Sequence, residues 1–194
     1  MFKIKNILAH ALMALSLATG AAAASPVYHV AVDTSAVAGK SGYLDFLIVG
    51  QGDTATTTAR LSHFSGDFSG DIYTDNASGS LSGATIGSAA ALNEVALWSN
   101  FGGLFSFDVS FEQALDDIAG ALLQIALLDD NFMYLAPTTG DVAGFELSPG
   151  QPIRFAGSAY ATITEAAADV PEPSAAALVL IGLMMAGAVA RRRS

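Results

Sequence analysis

The sequence predicts an all-β fold, an antiparallel β-sandwich or jelly-roll-like body, and three observations carry that expectation. The stretch "LFSFDVSFE" sets Phe105, Phe107, Val109 and Phe111 in strict alternation with Ser106, Asp108, Ser110 and Glu112. That is the period of two that leaves one strand face dry and the other wet. Further short runs rich in Val, Thr and aromatic residues recur along the chain, and such residues suit a pleated, half-buried surface. Between the runs lie turn-forming clusters at 38–42, 50–53, 65–67, 100–103, 139–141 and 148–150, a spacing that fits many short antiparallel strands.

Taken in order, residues 1–24 have the layout of a secretory signal peptide. Lys3 and Lys5 open it, an apolar core runs over 7–18, and small residues close it at Ala22-Ala23-Ala24. Such a segment implies handling by the secretion machinery and signal peptidase. It marks off a body over 25–169, long enough for one domain with a real core. In that body "SPVYHVAVD" (25–33) reads as a strand. "YLDFLIVG" (43–50) is another, with Leu44, Phe46 and Ile48 on one face and Asp45, Leu47 and Val49 on the other. "TATTTARLSHF" (54–64) and "LFSFDVSFE" (104–112) follow. In "FEQALDDIAGALLQIALLDD" the pattern favours a short turn or helix over 114–120, then a strand over 122–128. "RFAGSAYATIT" (154–164) reads as one strand in which Gly157 and Ala159 leave room for a close neighbour.

Composition narrows the function classes. Between 25 and 169 the basic residues are Lys40, Arg60 and Arg154, set against seventeen acidic ones, so the body is more acidic than the whole-chain charge of −10 indicates. A surface of that sign repels phosphate backbones, which argues against nucleic acid as a partner, and it suits divalent cations. The chain contains no cysteine. Thiol catalysis, thiolate zinc sites and iron–sulfur clusters are thereby excluded, and the core must hold without disulfides.

Candidate chemistry is sparse. The body has two histidines, His29 and His63, and no Gly-x-Ser-x-Gly turn to present a serine to either. Asp116-Asp117 and Asp129-Asp130-Asn131 bracket the expected strand over 122–128. Paired carboxyls can serve a glycosidase, but nothing here sets an acid of raised pKa against a base, so no catalytic residue is expected. Calcium is the one candidate cofactor, with Asp129, Asp130 and Asn131 as oxygen ligands and Asp67, Asp71, Asp75 and Asn76 as a second cluster. Neither cluster follows the EF-hand order. Trp98, just before a glycine-rich turn, is the candidate ring for stacking on carbohydrate, with Tyr73, Tyr134 and Tyr160 as others.

The last segment, 170–194, has three parts: Pro171-Glu172-Pro173, an uncharged run over 175–190, and Arg191, Arg192 and Arg193. The prolines keep the tripeptide extended and accessible. As a helix the apolar run would be about 24 Å long, short against a hydrocarbon core of about 30 Å. Snorkelling arginines extend its reach and fix its orientation, so a transmembrane helix with the body on the far side is expected. This order of parts closely resembles the PEP-CTERM sorting signal of Gram-negative bacteria. The resemblance implies processing by an exosortase and an inner-membrane-anchored precursor. The destination it implies is the cell surface or an extracellular matrix containing exopolysaccharide. The body pieces "VDTSAVAGKSGYLDF", "FSFDVSFE" and "LLQIALLDD" also resemble a recurring type of PEP-CTERM protein, which implies an extracellular domain with no catalytic residues to carry over. The expectation is therefore an exported envelope or matrix protein that is not an enzyme and works by binding or assembly. The alternative is a calcium-dependent carbohydrate-binding module, and a hydrolase ranks last.

Overall fold

The structure, a computed structural model, describes residues 25–50, 57–112 and 120–166, and among these it forms twelve strands in two six-stranded sheets. In chain order they are β1 (Val27–Asp33), β2 (Ser41–Gly50), β3 (Thr58–Ser65), β4 (Phe68–Asp75), β5 (Ala77–Ser80) and β6 (Gly83–Gly87). There follow β7 (Asn93–Asn100), β8 (Leu104–Glu112), β9 (Ala121–Leu128), β10 (Ala143–Leu147), β11 (Arg154–Gly157) and β12 (Ala161–Ala166). Sheet I runs β12-β1-β8-β3-β6-β5 and sheet II runs β11-β10-β9-β2-β7-β4. β1 pairs with β8, β2 with β7 and β3 with β6, all antiparallel, and β4 turns at Asn76 directly into β5. This nesting of first with last is the wrapping of a jelly roll, to which β9, β10 and β11 add at one edge of sheet II and β12 at one edge of sheet I.

The alternation in β8 behaves as expected: Phe105, Phe107, Val109 and Phe111 are buried. In β2, Leu44, Phe46 and Ile48 face inward, joined by Leu123, Ile125 and Leu127 of β9. The sheets meet through these faces, with Phe46 edge-on to Phe107 at a centroid distance of 4.9 Å. A second ring group, Tyr28 with Phe145 at 5.2 Å, links β1 to β10. Edge-to-face contacts of this kind add to the area that each ring buries.

Several expectations need correction. The single strand over 154–164 is two, β11 and β12, which belong to different sheets. The reason lies at Gly157, where an added Cβ would strike the carbonyl of Ala161. The close neighbour is the chain itself, turning back. Pattern also fails to reveal β7, because Asn93 to Leu97 are buried on both faces and no alternation survives. β4 fails for the opposite reason, being an edge strand with mixed exposure.

Among the described residues no helix is long and apolar enough to cross a membrane, and the one helical piece is a 3-10 turn at Ser35–Val37. The expected C-terminal transmembrane helix, and with it the membrane contact and the inner-membrane-anchored precursor, therefore finds no counterpart among the described residues. The signal peptide over 1–24, the sorting tripeptide Pro171-Glu172-Pro173, the run over 175–190 and the Arg191–Arg193 flank lie outside the described residues. So does most of the turn expected over 114–120.

Replacing Phe107 with Ala at the contact between the sheets is expected to cost about 3–5 kcal/mol. The denaturant midpoint should fall at an unchanged slope, whereas Ser106→Ala next to it should stay within about 0.5 kcal/mol.

Candidate functional site

The strand period that fills the core also furnishes the outer face of sheet II. Outward from β2 point Tyr43, Asp45 and Leu47. In register, Tyr43 lies between Trp98 of β7 and Leu128 of β9, Asp45 between Ala96 and Ala126, and Leu47 between Glu94 and Gln124. Over this face folds the connection from β9 to β10, residues 129–142. It is far longer than the typical connection of about 4–6 residues, and loops of such length are commonly functional.

The loop is held by its own polar groups. The Asp129 carboxylate accepts the N–H groups of Asn131 at 2.8 Å and Met133 at 2.9 Å, and the Asp129 N–H donates to Met133 O at 2.8 Å. Further on, Leu135 N–H donates to Leu127 O at 2.9 Å and Val142 N–H to Ile125 O at 2.8 Å, which laces the segment back along β9. Phe132, with φ of 58°, turns its ring onto Tyr43, stacked at 4.9 Å.

Between loop and sheet lies an open cavity of about 400 Å³. Its floor carries Asp45 of β2 and Glu94 of β7, its wall Gln124 of β9, and its rim Tyr73, Phe132, Tyr134 and Asp141. Asp45 is only 4% exposed and its Oδ1 has no hydrogen-bond partner. Burial, then the hydrogen bond and like charge of Glu94, push the Asp45 carboxyl up to about 8; Asp141 adds to this, and the Phe46 N–H offsets it only in part. Asp45 therefore holds its proton far above the usual carboxylate range. Asp141 is fixed differently, accepting from Tyr134 Oη at 3.1 Å and from the Gln124 amide. Burial, followed by the adjacent Asp141, raises the Tyr134 phenol and keeps it a donor. The rim is apolar for a protein surface: of the large hydrophobic side chains left exposed, Tyr73, Leu92, Phe132 and Tyr134 all line this cavity. A concave site of mainly apolar walls with a few convergent polar groups is the usual form of a small-ligand pocket.

The residues singled out in the sequence are distributed unevenly. Trp98 is half-buried on the same outer face, edge-on to Tyr43 at 4.8 Å, one ring away from the cavity lining. Asp129, Asp130 and Asn131 form a tight turn: the Asp129 carboxylate caps backbone N–H groups, and Asn131 Nδ2 donates to Asp130 Oδ1 at 2.8 Å. Among the described residues no group of three or more acidic or histidine side chains is placed to hold a metal ion. Asp67 and Asp75 are drawn apart, one bonded to Asn100 and the other to Asn76. Asp116 and Asp117 lie outside the described residues.

On the outer face of sheet I, His29 and His63 converge on Asp108, each through Nδ1, at 2.8 and 2.9 Å. Ser62 Oγ also approaches His63 Nδ1, at 3.3 Å. Serine and aspartate thus compete for one ring nitrogen, whereas a relay needs one on each.

Sequence reasoning passed over Asp45, Glu94, Gln124 and Asp141. One signal was available for the first: a lone carboxylate between Leu44 and Phe46 in an otherwise apolar strand is costly to bury. Comparison with protein-family models, curated proteins and solved structures gives no match to this chain.

A carboxyl held above its unfolded value binds its proton more tightly in the folded chain, so the contribution of Asp45 to stability is fully present below about pH 4 and is lost as pH rises towards 8. Asp45→Asn should flatten that decline, because an amide has no charge to desolvate, and stabilise the protein at pH 8 by roughly 1–3 kcal/mol. Thermal midpoints of both forms from pH 4 to pH 9 check this.

Proposed function

We propose that the protein is an exported envelope or matrix protein that works by binding, with the cavity over sheet II as its binding site. The observation that carries this reading is Asp45: a buried carboxyl that lines a cavity rimmed by exposed rings and whose Oδ1 has no hydrogen-bond partner. A purely structural face would have an apolar residue there, since leaving such a group unsatisfied costs stability. The rings of Tyr73, Phe132 and Tyr134 support a carbohydrate ligand, because aromatic faces suit the apolar side of a sugar ring.

Export rests on the pattern over 1–24, and exosortase processing on the resemblance of 170–194 to the PEP-CTERM signal.

Intact-mass analysis of the protein from its native host tests the export reading. The expected species, found outside the cell, starts near Ser25 and ends near Pro171 to Pro173; a chain running through Ser194 in every fraction overturns processing. Retention on the host's own polysaccharide is expected to drop about tenfold or more on Phe132→Ala, and unchanged retention overturns the cavity as the site.

A further inference from the structure

We propose that the cavity over sheet II takes a protonated amine carried on a polyhydroxylated ring, an amino-sugar unit of a polysaccharide. This rests on the reading of that cavity as the binding site and specifies what fills it. The first observation is the sign of the lining. Asp45 from β2, Glu94 from β7 and Asp141 from the 129–142 loop converge on one space, and Asp75 of β4 stands opposite Glu94 in register. No basic side chain lines it. The body's three cations are directed elsewhere: Lys40 Nζ donates to Ala136 O at 3.0 Å, Arg60 is paired with Glu112 at 2.8 and 3.1 Å, and Arg154 sits on β11 opposite Glu146.

The second observation is independent of charge counting. Asp45 Oδ1 is buried without a donor, and the cavity beside it is the space from which a donor can come. An ammonium group brings three donors and a compensating charge, whereas a hydroxyl brings one donor and none of the charge. A divalent cation would need more oxygen ligands than these side chains converge on one point.

The third observation chooses the rest of the ligand. Phe132 and Tyr73 stand at 65° with centroids 5.2 Å apart, an angled pair of faces at the mouth. Such faces hold the C–H side of a pyranose and attract a nearby cation. Around them, Asp141 keeps acceptor capacity beyond its bonds to Tyr134 and Gln124. Acceptors beside the ammonium site match hydroxyls on adjoining ring carbons; a lysine side chain would present methylenes to them. On binding, the ammonium takes the place of the proton on the buried Asp45 carboxyl, and that proton leaves to solvent. The groups that face this exchange are Asp45, Glu94, Asp141 and Tyr134, with Asp75 and Tyr73 from β4.

The test is calorimetric titration of the full chain at pH 6 with a glucosamine hexamer. The N-acetylated hexamer, a cello-oligosaccharide and a lysine-rich peptide are run alongside, in two buffers of different ionisation enthalpy. The expected result is at least about tenfold tighter binding of the glucosamine hexamer than of the other three, with proton release. Asp45→Asn and Glu94→Gln should each weaken it about tenfold at unchanged circular dichroism. Equal binding of the N-acetylated or neutral oligosaccharide overturns the amine and leaves the cavity as a sugar site. Tighter binding of the peptide overturns the sugar. No heat with any ligand overturns both this inference and the reading beneath it.

Discussion

Phe46 and Phe107 meet edge-on between the two sheets, and the rest of the structure depends on that contact. With no cysteine in the chain, no disulfide ties sheet I to sheet II. Their spacing is set by side chains from the inner faces of β2 and β8, strands that never pair with one another. Because a strand alternates strictly, fixing Leu44, Phe46 and Ile48 inward fixes Tyr43, Asp45 and Leu47 outward. The position of the acidic cavity follows from the demands of the core.

That coupling explains how a carboxyl comes to be buried on a face that should be wet. Asp45 is covered by the 129–142 loop, whose own shape is secured by the Asp129 carboxylate and by hydrogen bonds back to β9. Two aspartates therefore have opposite relations to one loop: Asp129 stabilises it, and Asp45 bears the loss of solvent that it imposes. Sites that bind or react commonly retain such local cost because the ligand supplies the missing partner.

How much of this was legible in the sequence depended on whether a strand kept one face polar. β8, with Phe and Val alternating against Ser and Asp, declared itself in full, and β1, β2 and β9 came close. β7 was invisible because burial on both faces removes the period, and the split into β11 and β12 was hidden because a turn at Gly157 to Tyr160 has no strong breaker beyond a single glycine. The site was harder still. Asp45, Glu94, Gln124 and Asp141 are dispersed along the chain, and only strand register and a folded-over loop bring them together. Conversely, the most conspicuous acidic cluster, Asp129-Asp130-Asn131, proved to be a turn whose lead carboxylate serves backbone N–H groups.

At the free edge of sheet I, Val27 at the start of β1 lies opposite Ala166 at the end of β12. Entry and exit of the domain are thus one strand spacing apart, about 4.8 Å. In topological terms the twelve strands form a nearly closed circuit. Joining the two ends and reopening the chain at the tight turn between β5 and β6 would preserve every strand pair, so the domain is suited to circular permutation. For the same reason it could be carried as an insert within a loop of another protein, with the host chain needing to bridge almost no gap.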